Sequence, residues 1–318
     1  MITPTVRCGC VLLILLLFAS DQSSAQIIDH VDVDGVASLP QSTMDAIGGQ
    51  RWFFSHASVG DNMMSGMADL HASNTGRYRL DQASVGFDEG QNRADAPPTP
   101  TTAGTIYECD RGNPGWEAKI TIFQNSVNTS GWRSNATAIV MNKFCFIDQD
   151  ANATQYADAM AALEAAWPAT TFVYTTMPLT TDEDADNVLR NQYNTAVRQY
   201  CQSHARLLFD IADMESHDPA GNAATFASDG QTYQKLNSGY SSDGGHLSAE
   251  GCQRIALGWY AVAAAIAAGN GGEGETPLGP SAQPCGVCGP SAGTMMPVML
   301  LGWGWMKRRR RRNRSSRR

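Results

Sequence analysis

The chain has 318 residues, of which 42% are hydrophobic, and 31 Asp and Glu stand against 23 Lys and Arg for a formal net charge of −8. That composition excludes a disordered or collagen-like chain and leaves room for a substantial apolar core. Nine of the basic residues fall in the last twelve positions, so residues 26–268 hold 13 Lys/Arg against 28 Asp/Glu, near −15, a surface that repels nucleic acid and anionic membranes.

In chain order, Met1–Arg7 carries one positive charge, Val11–Ala19 is an apolar run, and Ser23-Ser24-Ala25 supplies small residues for cleavage. Residues 1–25 are therefore read as a secretory signal peptide, which predicts a secreted or cell-surface protein; the alternative is a retained N-terminal anchor. Arg51–Ser55 (RWFFS) predicts a short aromatic strand, and Met63, Met64, Met67 and Leu70 recur at helical spacing over Gly60–Leu70. Ala72–Thr105, with its PPTPTT run, reads as irregular, and Trp116–Phe123 as helical or mixed. Ala136–Ile147 predicts the strongest strand, followed by an Ala-rich helix over Ala153–Trp167 and a strand over Thr170–Thr176.

The acidic run Thr181–Asp186 lacks the glycine and distal glutamate of a calcium loop and reads as a solvated helix start. It opens a helix over Asp184–Ser203, with Val188, Leu189, Tyr193, Val197 and Tyr200 on one stripe. A strand over Ala205–Ile211 precedes the polar residues Glu215-Ser216-His217, read either as lining a cleft or as a plain polar loop, and Ser248 caps a last helix over Ala249–Ala267. Strands alternating with helices predict an α/β fold, a three-layer α/β/α sandwich on a mainly parallel sheet, whose ligands bind beyond the carboxyl ends of the strands.

Four cysteines lie in the 26–268 domain, allowing three pairings. Cys145 sits within the predicted strand and reads as a buried thiol; Cys201 and Cys252, both in predicted helices, are candidates for a bridge.

Residues 269–294 form a Gly/Pro/Ser-rich linker, and residues 295–318 combine a short apolar stretch with the terminal KRRRRRNRSSRR. Linker, apolar segment and arginine cluster resemble the tripartite C-terminal sorting tails of the PEP-CTERM and MYXO-CTERM kinds. That resemblance implies transient membrane association, then processing or surface anchoring. Nucleic-acid binding by the arginines is the weaker reading, and no nucleic-acid partner is expected. Cys285 and Cys288 have the spacing of half a metal knuckle without a second half, and go with the tail.

Two segments near strand ends carry the chemistry. Ser58 stands where the first predicted strand meets a helix, among unpaired backbone N–H groups able to stabilise an oxyanion. A serine needs an adjacent base to become a nucleophile, and otherwise merely caps the helix. Asp243-Gly244-Gly245-His246 precedes the last helix, and the two glycines allow the carboxylate to curl back and orient the imidazole. Asp243, His246 and His56 also have metal-ligand side chains, but no metal-site spacing accompanies them, and neither a metal nor an organic cofactor is expected.

In order along the chain, HASVGDN with MMSGMADL, RGNPGWEAKI, MNKFCFID, TTMPLT, NQYNTAVRQY, FDIADMES and YSSDGGHLSAEG resemble the SGNH/GDSL hydrolases, in particular the divergent branch whose first block reads roughly GHQSVG-x-N. The resemblance spans about Arg51 to Ala268. It implies a flavodoxin-like hydrolase fold with Ser58 as nucleophile, His246 as general base and then acid, and Asp243 as its orienter. The further oxyanion donors it implies fall on Asn142, where the usual G-x-N-D is absent and Lys143 follows, or on Gly112 or Asn113; His56 is read equally as a substrate contact or as a residue packed at the strand end. The expected activity is ester hydrolysis through an acyl-enzyme on a small-molecule or glycan ester, such as an acetylated extracellular carbohydrate. Non-catalytic glycan binding and O-acyl transfer through the same triad are the alternatives.

Overall fold

A computed structural model describes residues 25–133 and 139–270. The expected signal segment up to Ser24, the linker beyond Asn270 and the sorting tail lie outside the described residues, as does all of a second unit, Thr276–Arg318.

The described chain begins with β1 (Gln26–Ile28), α1 (His30–Gly35) and α2 (Gln41–Ile47), then β2 (Arg51–His56) and α3 (Val59–Ser73). Next come the short strands β3 (Asp81–Ser84), β4 (Phe87–Asp88) and β5 (Arg93–Ala94), then β6 (Thr105–Asp110), α4 (Trp116–Asn125), β7 (Ile139–Asn142) and α5 (Ala153–Ala166). The last third contains β8 (Thr171–Thr175), α6 (Ala185–His204), β9 (Leu207–Phe209), α7 (Ile211–Ser216), the hairpin of β10 (Thr225–Ser228) and β11 (Gln231–Gln234), and α8 (Ala249–Asn270).

Seven strands form one sheet in the order β1-β9-β8-β7-β2-β6-β3, every neighbouring pair parallel. Numbered along the chain, its five central strands run 2-1-3-4-5, the flavodoxin-like order, with β1 and β3 added at the edges. The fold is the expected three-layer α/β/α sandwich.

Burial follows from the strand period. In β2, Trp52 and Phe54 point to one layer, with Ile139, Met141 and Val173, and meet α3 and α8. Phe53 points to the other, with Val140, Phe172 and Tyr174, under α4, α5 and α6. The predicted stripe on α3 is the face that packs: Met63, Met64, Met67 and Leu70 are buried with Ile255, Trp259 and Val262 of α8. Trp259 stacks at a tilt 5.2 Å from Trp52 and edge-on 5.0 Å from Phe54. Removing such a ring from a core typically costs about 3–5 kcal/mol.

Several sequence expectations are corrected. The supposedly irregular stretch holds three short strands, and β6 at its end, TIYECD, lies between β2 and the edge strand β3. Its Thr, Glu and Asp dilute the apolar run, yet Glu108 is bonded to His56 and Asp110 to the Gly112 N–H. The predicted strand ending at Ile147 leaves the sheet after Asn142, because Asp148 turns the chain: its carboxylate accepts the Cys145 N–H at 2.8 Å while its own N–H donates to the Cys145 carbonyl. The last sheet strand stops at Phe209, where Asp210 caps α7, so Glu215 and Ser216 are buried helix residues rather than a cleft loop. All four cysteines are free and buried. Cys201 and Cys252 cannot bridge, since one faces the α6 layer and the other the α3/α8 layer, on opposite sides of the sheet. Among the described residues, no helix is long and apolar enough to cross a membrane.

Candidate active site

The central strands bring their C-terminal ends to one rim. Ser55 pairs with Asn142 of β7 and His56 with Asp110 of β6, so the turn after β2 sits between the turns after its two neighbours. Ser58 occupies this turn with φ 59° and ψ −110°, a left-handed conformation costing a non-glycine residue on the order of 1–3 kcal/mol. Its side chain makes no capping bond to α3, which removes the reading of Ser58 as a simple helix cap. The hydroxyl lies instead 2.7 Å from Nε2 of His246.

The histidine is held from several sides. Asp243 Oδ2 accepts from His246 Nδ1 at 2.8 Å, and Oδ1 accepts the backbone N–H groups of His246 at 2.8 Å and Gly245 at 3.1 Å. These bonds, the backbone ones foremost, hold the exposed Asp243 carboxyl down to a pKa of about 2. The ionised carboxylate can only accept, so the Nδ1 proton belongs to the imidazole, which leaves Nε2 as the ring atom that faces the Ser58 hydroxyl. The Phe146 ring meets His246 edge-on at 5.3 Å and lies so close to Gly245 that a Cβ there would come within 2.7 Å of it. The loop is also tied to its neighbours: the Gly244 carbonyl accepts the Thr181 N–H at 2.8 Å, and Asn62 Oδ1 accepts the Leu247 N–H at 3.2 Å. Arg190 of α6 supports Phe146 by donating to its carbonyl at 2.6 Å.

His56 is not a surface contact for a ligand. Its ring is 1% exposed, stacked on Phe54 at 4.6 Å, with Nε2 2.8 Å from Glu108 of β6. It braces the turn after β2, because a Cβ at Gly60 would fall 2.4 Å from the His56 Cβ. Bonded in this way to Glu108, His56 does not join Asp243 and His246 in a metal set.

The remaining predicted residues lie on the same rim without a hydrogen bond to the triad. Asn142 is buried, and its Oδ1 has no partner. Gly112 and Asn113 are exposed in the turn after β6, and the Gly112 N–H donates to Asp110 at 3.0 Å. The unengaged donors at Ser58 are backbone ones: the N–H groups of Ser58 and Val59, at the mouth of α3, have no acceptor among the described residues.

Beneath the turn lies a buried cationic layer that sequence reasoning missed. Arg111, Lys119 and Lys143 are fully or nearly fully buried, with Asp148 as the buried carboxylate ion-paired to Lys119. Arg111 donates to the Lys143 carbonyl at 2.7 Å, while its Nε and Nη1 find no partner. Burial lowers the pKa of Arg111 to about 10 and lowers that of Lys143. This layer is continuous with the turn that carries Ser58: the Arg111 N–H donates to the His56 carbonyl, the Lys143 N–H to that of Ser55, and the Cys145 thiol to that of Ala57. Only the break of β7 at Lys143, between two apolar runs, hints at it in the sequence.

No protein-family model matches the chain, and no curated protein matches it. Similar solved structures include a GDSL-like lipase from Bacteroides thetaiotaomicron, 12% identical, with a TM-score of 0.40 over 72% of this chain and 94% of the other. An alpha/beta hydrolase enzyme from the metagenome of Lake Arreo, Spain, is 16% identical, with a TM-score of 0.42 over 68% of this chain and 95% of the other.

Proposed function

We propose that the protein is an exported serine esterase of the SGNH/GDSL type, with Ser58 as nucleophile, His246 as base and Asp243 as orienter. The continuous relay Ser58 Oγ–His246 Nε2, His246 Nδ1–Asp243 Oδ2, at 2.7 and 2.8 Å, carries this reading. In the first half-reaction Ser58 Oγ attacks the ester carbonyl as its proton passes to His246. The tetrahedral oxyanion faces the free N–H groups of Ser58 and Val59, and the buried cations beneath the turn favour the developing negative charge. The imidazolium then protonates the leaving alcohol. In the second half, His246 takes a proton from water, which attacks the acyl-enzyme and releases the acid and the Ser58 hydroxyl.

The half-exposed triad and the acidic domain surface suit an ester on a large, neutral acceptor; the substrate class we infer is an acetylated extracellular carbohydrate. Export rests on the N-terminal segment, and transient membrane association on the C-terminal tail.

The test is hydrolysis of p-nitrophenyl acetate together with labelling by a fluorophosphonate probe. Wild type should turn over the ester and label at Ser58. Ser58→Ala should lose both, and His246→Ala should lose at least about a hundredfold in turnover and label much more weakly. Turnover unchanged in Ser58→Ala, in a protein with wild-type circular dichroism, would remove the nucleophile and leave a glycan-binding role for the fold.

A further inference from the structure

At the far edge of the same rim, His30, Asp213 and His217 bring metal-ligand atoms together. One such atom from each lies within 4.8 Å of the others. They come from three places in the chain: His30 opens α1 just after β1, Asp213 is in the first turn of α7 just after β9, and His217 follows α7. Because β1 and β9 pair in parallel, with Ile28 opposite Phe209, the residues beyond them emerge side by side. His30 Nδ1 is 2.5 Å from Asp213 Oδ2, and His217 Nδ1 is 3.4 Å from Asp213 Oδ1. The two imidazoles stack face to face, centroids 3.7 Å apart and 6° from parallel.

Three features distinguish this group from an ordinary surface polar cluster. The parallel stack holds both imidazoles beside one carboxylate. The carboxylate is anchored: Gln234 donates to Oδ1 at 2.9 Å and the His30 N–H to Oδ2 at 3.1 Å, as supporting partners orient a ligand. The surroundings are also rich in acid. Asp29 caps the helix that His30 opens, and Asp210 caps the helix that carries Asp213. Side-chain exposures of 21%, 15% and 12% leave the cluster reachable from solvent.

We infer that His30, Asp213 and His217 form a binding site for a divalent transition-metal ion, with zinc the best fit to two imidazoles and one carboxylate. Ligand bonds of about 2.0–2.2 Å need ligand atoms about 3.2–3.6 Å apart, so the widest pair closes by on the order of 1 Å while His30 Nδ1 and Asp213 Oδ2, 2.5 Å apart, open as the ion replaces the hydrogen bond between them. Three protein ligands leave a position for water. The ion ties the N-terminal segment to α7, four strands from β2, or roughly 19 Å from the triad at a strand spacing of about 4.8 Å. It therefore acts apart from ester hydrolysis.

The experiment titrates the full chain with Co²⁺, in a Cys285→Ser/Cys288→Ser background that removes the tail thiols, and reads ligand-field absorption and stoichiometry. Thermal midpoints are measured with Zn²⁺ and with Mg²⁺. One Co²⁺ should bind with a tetrahedral or five-coordinate spectrum, and Zn²⁺ but not Mg²⁺ should raise the midpoint by roughly 4 °C or more. His217→Phe, which keeps a ring stacked on His30, and Asp213→Asn should each lose at least roughly tenfold in affinity while circular dichroism stays unchanged. Absence of stoichiometric binding, binding undiminished in both variants, or an equal response to Mg²⁺ would overturn the assignment. Ester turnover is followed in parallel and should not respond to a chelator, so failure of the metal site and failure of the esterase reading are seen separately.

Discussion

Asn62 on the nucleophile helix accepts a hydrogen bond from the backbone N–H of Leu247 at 3.2 Å, although 185 residues separate them in the chain. This bond joins the segment that carries Ser58 directly to the segment that carries His246. It ties the two segments together independently of the Ser58–His246 contact itself.

Replacing Asn62 by Ala is expected to lower kcat on p-nitrophenyl acetate about tenfold, with a smaller effect on KM, and to destabilise the fold by about 1 kcal/mol. The Gly244–Thr181 bond still holds the histidine loop, so folding survives. Steady-state kinetics beside a urea unfolding curve decides the point: an unchanged kcat would mean the loop is positioned without Asn62.

Ser58 pays in backbone strain for its place in the turn, with φ 59° and ψ −110°. Ser58→Gly and Ser58→Ala should both be inactive, but the glycine variant should be the more stable by about 1–2 kcal/mol, since only glycine adopts that conformation freely. Urea midpoints of the two variants compared with wild type measure this, and equal stability would show that the turn carries no strain.

Gly60 allows α3 to start against His56. Gly60→Ala places a Cβ within 2.5 Å of His56 Nδ1, and should cost about 1–3 kcal/mol and reduce kcat at least tenfold by displacing the turn. Gly35→Ala is the control, since a Cβ there meets nothing within 4 Å; it should change stability by no more than about 0.5 kcal/mol.

Glu215 predicts a pH dependence of stability. It is 1% exposed, one carboxyl oxygen accepts the Leu179 N–H and the other has no partner, and burial raises its pKa to about 8 from an ordinary 4.5. Between those values the folded state holds a proton that the unfolded chain has lost, so wild-type stability falls as pH rises through the window and levels off above it. Glu215→Gln removes the titration. Its stability relative to wild type should therefore increase from about pH 5 to pH 8, by on the order of a few kcal/mol. A difference independent of pH in denaturant unfolding would show that Glu215 ionises as an ordinary carboxyl.

Local patterns determined much of this protein. The aromatic run before Ser58, the methionine stripe on α3 and the Ser248 cap of α8 each depend on residues within a turn or two of one another, and the structure places all three as read, whereas of the α6 stripe Tyr193 and Val197 are buried but Leu189 is exposed, the packed face being shared with Asn187, Arg190, Asn191 and Asn194. The Asp243–His246 pair belongs with those three, since its bonds span three residues and two intervening glycines. Tertiary structure alone decided the rest. Strand order cannot be read from periodicity, so the position of β6 beside β2, and with it the Glu108–His56 brace that takes His56 away from the ligand, stayed hidden. The same holds for the opposite faces of Cys201 and Cys252, for the buried cations Arg111, Lys119 and Lys143, and for the meeting of His30 with Asp213 and His217. A short-range pattern reflects the geometry of one element. These contacts exist only because a parallel sheet gathers the ends of distant strands along a single edge.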